Sequence, residues 1–95
     1  MLQQKLLADM KAFLDGDVSA ELFSHNFPSS LVHEGPQLEA DNPALSTLLN
    51  ADLPDYCGWY EPDKVARSGC KDCLDDKAFR RKVQAVYDAA VKLVE

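Results

Sequence analysis

Between Ala12 and Asp63 the chain holds no lysine and no arginine, although ten acids fall there: Asp15, Asp17, Glu21, Glu34, Glu39, Asp41, Asp52, Asp55, Glu61 and Asp63. That absence excludes nucleic-acid binding through this stretch, because phosphate contacts need a basic face. The formal charge is +1 for residues 1–11, −10 for residues 12–63 and +3 for residues 64–95, or −6 in all. A merely solvated acidic surface is one outcome of such a pattern. The other is a surface that steers a basic protein partner toward it.

Long apolar runs are also missing. None approaches the ~20 residues that span a bilayer, and the N-terminal ten residues alternate apolar and polar groups without the apolar core of a secretion signal. A cytoplasmic protein with no membrane contact is expected. Glycine is scarce, at four residues, so no loop is rich enough in it to cradle phosphate. Cysteine occurs three times, as Cys57, Cys70 and Cys73, and an odd number fits reduced thiols better than a disulfide framework. Strand-like alternation and internal repeats are absent. Ninety-five residues make one domain, 1–95, of the size in which a single core forms but a core with a deep catalytic cavity does not come easily. No enzymatic activity and no cofactor are expected.

What is present is helical periodicity. Leu2, Leu6, Leu7, Met10, Phe13 and Leu14 share one helical face, and Gly16 stands where a C-terminal cap belongs. Asp17 or Ser19 can cap a second helix through Ala20, Leu22, Phe23 and Phe27, which Pro28 should kink or end. Residues 29–42 read as a loop with a possible helical turn at Leu31 to Glu34. Asp41-Asn42-Pro43 is a helix start, followed by the stripe Ala44, Leu45, Leu48, Leu49 and Leu53. After Pro54 the helix is expected to continue through Tyr56 to Tyr60 at a changed angle until Pro62 ends it. Residues 61–73 read as a loop. Asp75 caps the last helix, with Phe79, Val83, Val86, Tyr87, Ala90, Val91 and Val94 on its buried face and Arg80, Arg81, Lys82 and Lys92 largely elsewhere. The expected fold class is all-α, a small antiparallel four-helix bundle.

Cys70-Lys-Asp-Cys73 has the spacing of a zinc knuckle, which Cys57, His25 or His33 could complete. A second close pair is missing, so loop thiols without metal are the expectation, and the redox use of C-x-x-C usually comes in a βαβ setting that this chain lacks. His25 and His33 have no nucleophile beside them in sequence. The stretch DYCGWYEPD, residues 55–63, is different: Tyr56, Trp59 and Tyr60 recur at helical steps and would share a face, with acids interleaved. Tyr and Trp are enriched at binding hot spots. One use for them is to plug the end of the core. The other is an aromatic anchor ringed by carboxylates for an Arg/Lys-lined cleft, with Asp52, Asp55, Tyr56, Trp59, Tyr60, Glu61 and Asp63 as the partner-binding set.

The order of several short motifs resembles the colicin D immunity family, which includes related bacterial self-protection and contact-dependent growth inhibition immunity proteins. The motifs are Phe13-Leu14, Val18-Ser19-Ala20-Glu21-Leu22-Phe23, the leucine helix at 45–53, Tyr60-Glu61-Pro62-Asp63, Arg67, Leu74-Asp75-Asp76 and the Phe79/Val83 helix. The resemblance implies a four-helix bundle whose acids occupy the cationic active site of a toxin's C-terminal nuclease domain, a tRNA-cutting ribonuclease in the best-known pairing. It implies Glu61 and Asp63 as contacts and Tyr60 as their aromatic neighbour. Gly58 stands where such a surface would carry an acid, which gives Asp55 that part; the loop from Pro28 to Pro43 looks longer, and the cysteines are not part of the pattern. An acidic helical adaptor for another basic protein is the alternative, and a small zinc module on Cys70 and Cys73 a third.

Overall fold

Apolar residues at three- and four-residue steps build the first helix, α1 (Leu2–Leu14), which buries Leu6, Met10 and Phe13. Gly16, at φ 90°, lets the chain turn where a side chain would strain the backbone. Ser19 then caps α2 (Ala20–Asp41), its Oγ accepting the Leu22 N–H at 3.1 Å. Four shorter or later helices follow: α3 (Pro43–Ala51), α4 (Leu53–Trp59), α5 (Lys64–Ser68) and α6 (Asp76–Val94). A computed structural model describes residues 2–70 and 73–94, so residues 71 and 72 of the loop expected at 61–73 lie outside it. The protein is all-α; among the described residues there are six helical segments where four helices were expected.

The largest difference lies in α2. It runs for 22 residues with Pro28 and Pro36 inside it, so the expected break at Pro28 and the expected loop over 29–42 do not form. A proline inside a helix costs about 3 kcal/mol. Against that stand Phe27, Leu31 and Leu38, each at most 2% exposed, whose burial contributes roughly 1.5–3 kcal/mol apiece. Ending the helix at Pro28 would forfeit the last two, so the core wins. Pro36 has a further accommodation. The residue before a proline is pushed out of the helical region by a clash between its Cβ and the proline ring, and here that residue is Gly35, which has no Cβ.

This argument separates two glycines. A Cβ added at Gly58, in α4, or at Gly35 would meet no atom within 4 Å beyond the chain neighbours. Alanine is the better helix former by up to about 1 kcal/mol. Gly58→Ala should therefore raise the urea midpoint by the equivalent of roughly 0.5 kcal/mol, whereas Gly35→Ala should leave it level or lower it. An equal gain at both sites would dispose of the role given to Gly35.

One apolar core, to which every helix except α5 contributes, unites the molecule. It holds no buried polar side chain among the described residues. Helix α6 lies against α1, α3 and α4, while α2 lies against α1, α3 and α4 and touches α6. At the centre Phe13, Phe23, Phe27 and Phe79 form a chain of aromatic contacts with ring centroids 4.6–6.0 Å apart. Arg80, expected on an outer face, instead reaches α1: its Nη1 donates to the Phe13 carbonyl at 2.6 Å and its guanidinium lies 4.6 Å from the centre of the Phe13 ring. It thereby adds a second donor to a carbonyl at the C-terminus of α1 that also accepts the Gly16 N–H at 3.1 Å.

At the opposite end of α6, Asn42 ties a corner. Its Oδ1 caps α3 by accepting the Leu45 N–H, and its Nδ2 donates to Gln3 Oε1 and to the Leu93 carbonyl, each at 3.0 Å. No helix among the described residues is long and apolar enough to cross a membrane.

Candidate functional site

Helix α4 is short because Pro54 starts it at its first turn and Tyr60, in an extended conformation, ends it. Leu53 and Cys57 point into the core. Asp52, Asp55 and Trp59, at steps of three and four, therefore lie along the outer face, and all three are exposed, Trp59 by 42%. Tyr56 sits at the edge of this strip, half-buried, 6.0 Å from the Trp59 ring centre and 5.4 Å beneath the Lys82 ammonium.

Tyr60 departs from the expected common face with Tyr56 and Trp59. It lies beyond the last helical residue, and the backbone there pairs with the segment before α6. The Leu74 N–H donates to the Trp59 carbonyl at 2.7 Å and the Glu61 N–H donates to the Leu74 carbonyl at 2.9 Å, a parallel bridge. This pairing turns the Tyr60 ring inward to stack on Phe79 at 5.0 Å, and its hydroxyl donates to Asp76. Burial first, and then the bond to the Asp76 carboxylate, push the Tyr60 phenol up to about 12. Tyr60 thus closes the core. Trp59 takes the outward place.

Asp63 likewise has a structural bond. Its Oδ1 accepts the Val65 N–H at 2.9 Å and caps α5, the helix that occupies part of the expected loop. Glu61 is half-buried, and its backbone carbonyl accepts from Arg67 Nη1 at 2.6 Å. The Glu61 side chain borders a groove of about 410 Å³ between α2 and α4. Across that groove stands Glu21, the one acid in the first half of α2, with His25 beside it. His25 and His33 occupy one continuous helix, and His33 lies on a separate part of it, beside Pro28 and Val32.

Among the described residues the single ion pair is Lys11–Asp15, at 3.0 Å on the exposed surface. The carboxylates of Asp52, Asp55, Glu61, Asp63 and Glu21 therefore have no cation of the described residues within ion-pair distance. Such uncompensated charge repels itself and attracts a basic surface. The groove can take a lysine or arginine side chain between Glu21 and Glu61, and the Asp52–Asp55–Trp59 strip can meet a flatter cationic face.

The cysteines correct the expectation of reduced thiols. Cys70 and Cys73 are joined in a disulfide, so their sulfurs are not free to act as the thiolate ligands of a zinc knuckle. Cys57 is a free thiol inside the core, and burial pushes it up to about 12. Sequence reasoning missed three residues here: Glu21, Asp76 and Arg67 as a backbone clasp. Nothing in local spacing marks Asp76, sixteen residues from the hydroxyl it accepts. Glu21 lies forty residues from Glu61, across the groove, and no local pattern links the two.

No protein-family model, no curated protein and no solved structure matches the chain.

Proposed function

We propose that this protein is an immunity protein, which binds the cationic active-site cleft of a cognate bacterial toxin's nuclease domain and occludes it. The observation that carries this reading is the row of exposed carboxylates beside an outward tryptophan, unpaired with any cation of the described chain. A nuclease must hold phosphates and is therefore basic at its active site. An inhibitor of complementary sign is steered to it quickly, and an aromatic anchor in the contact slows its departure. The mechanism is steric and electrostatic: Asp52, Asp55 and Glu61 take the places of substrate phosphates, with Trp59 filling the apolar part of the contact. No bond is made or broken.

In this reading α1, α2, the bent pair α3 and α4, and α6 are the four rods of an antiparallel bundle, with α5 carried outside it. The toxin's substrate is tRNA, as the resemblance to the colicin D immunity family implies. The protein works inside the cell that makes the toxin.

The test is an RNA-cleavage assay with the basic nuclease domain encoded beside this gene. Cleavage should cease when the protein reaches a near-stoichiometric ratio. Undiminished cleavage at large excess, with the protein folded by circular dichroism, would reject the reading.

A further inference from the structure

Helix α5 is held to the rest of the molecule by little. It buries no residue, packs on no other helix among the described residues, and leaves Val65 79% exposed. At five residues it is far below the ~12–15 that a free-standing helix requires. Three ties keep it in place. At its start Asp63 caps it, Arg67 clasps the Glu61 carbonyl, and at its far end the Cys70–Cys73 bond joins it to the residue before Leu74. Leu74 is itself anchored through the parallel bridge. The disulfide is thus the covalent end of a clip, and the acid-bearing turn Glu61–Asp63 is the other end.

We propose that Cys70–Cys73 is a thiol–disulfide exchange site, at which a dithiol reductant releases α5 and loosens the Glu61–Asp63 turn while the helical core stays intact. A thiolate of the dithiol attacks one sulfur of the pair, breaking the S–S bond and forming a mixed disulfide. The second thiolate of the reductant then displaces the protein sulfur. The reductant leaves as its own disulfide, having given two electrons, and its two protons finish on the Cys70 and Cys73 thiols. Reaction with an oxidised dithiol runs the same steps backwards and closes the clip. Cys57 takes no part, because it is 6% exposed within the core and burial keeps it protonated. A bond that closes so short a loop constrains the whole unfolded chain only weakly, so the effect of breaking it is local. The consequence for partner binding rests on the immunity reading; the opening of α5 does not.

Limited tryptic digestion of three forms of the full chain tests the site. These are the oxidised protein, the protein reduced with dithiothreitol, alkylated and freed of reagent, and the Cys70→Ser/Cys73→Ser variant. Cleavage after Lys64 and Arg67 should be roughly 10- to 30-fold faster in the second and third forms, with cleavage after Lys77 and Arg81 unchanged. Equal rates after Lys64 and Arg67 overturn the proposal. So does a parallel rise at every site, or failure of the pair to form in a glutathione-disulfide buffer. In a second arm the oxidised and serine forms are titrated with the basic nuclease domain. Weaker binding by the serine form ties the clip to the interface, and equal binding breaks that tie. If neither form binds, the immunity reading falls and the exchange site is judged on the digestion alone.

Discussion

Replacing Phe79 with alanine is expected to lower the melting temperature by about 15–30 °C. Phe79 is fully buried, and its ring meets Phe13 at 5.3 Å, Phe23 at 6.0 Å and Tyr60 at 5.0 Å. Truncation of a buried phenylalanine costs about 3–5 kcal/mol, the lost transfer energy together with the cavity left behind. Domains of this size hold only about 5–15 kcal/mol in total, and each kcal/mol shifts the melting point by about 4–8 °C. The loss should also free the Tyr60 ring and slacken the bridge between Tyr60 and Leu74. Phe79→Leu keeps most of the volume and should cost far less. A thermal melt that places Phe79→Ala within about 5 °C of the parent chain would remove Phe79 from the centre of the core.

The second large effect concerns binding. Reversing Asp52, Asp55 and Glu61 to lysine takes the formal net charge from −6 to zero. Association with the basic nuclease domain should then slow by about 10²–10³-fold at low salt, which is the range that electrostatic steering contributes. At ~1 M salt, where charges more than about 3 Å apart are screened, the two association rates should converge. The fold should survive, because these side chains make no ion pair among the described residues and none is buried. Stopped-flow association across a salt series, with circular dichroism as the control, reads both points. Rates that match the parent at low salt would move the partner surface away from α4. Tyr60 and Asp63 are left out of the set on purpose, since one is stacked on Phe79 and the other caps α5. Changing either would mix a folding defect with a binding one.

The helices with unbroken periodicity were legible from the residues alone. Leu6, Met10 and Phe13 in α1 and Phe79, Val83 and Ala90 in α6 are buried as their spacing requires. The cap at Asp75 was equally visible. Of the alternatives Asp17 or Ser19, and of the helix start Asp41-Asn42-Pro43, it is Ser19 and Asn42 that cap, each acting, like Asp75, on a backbone N–H three residues away. Helix α2 was not, since the rule that proline ends a helix weighs local geometry and leaves out Leu31 and Leu38, whose burial depends on α3. The same limit applies to the candidate site. Helical spacing placed Tyr56, Trp59 and Tyr60 together, but the bridge to Leu74, fourteen residues on, decides that Tyr60 faces inward. Counting three cysteines gave no hint of which two would meet. The acidic stretch itself was plain in the sequence, and only the fold sorts its carboxylates into those that cap, such as Asp63, and those that face water, such as Asp52 and Asp55.

The Asn42 corner has a practical consequence. By gripping Gln3 and Leu93 at once, it brings the first turn of α1 and the last turn of α6 to one pole of the described molecule. The acid-bearing turn adjoins the start of α6, at the other end of a 19-residue helix about 28 Å long. A fluorophore, a surface tether or a fused domain attached at either terminus would therefore leave that distant pole unobstructed, whichever end of the chain carried it.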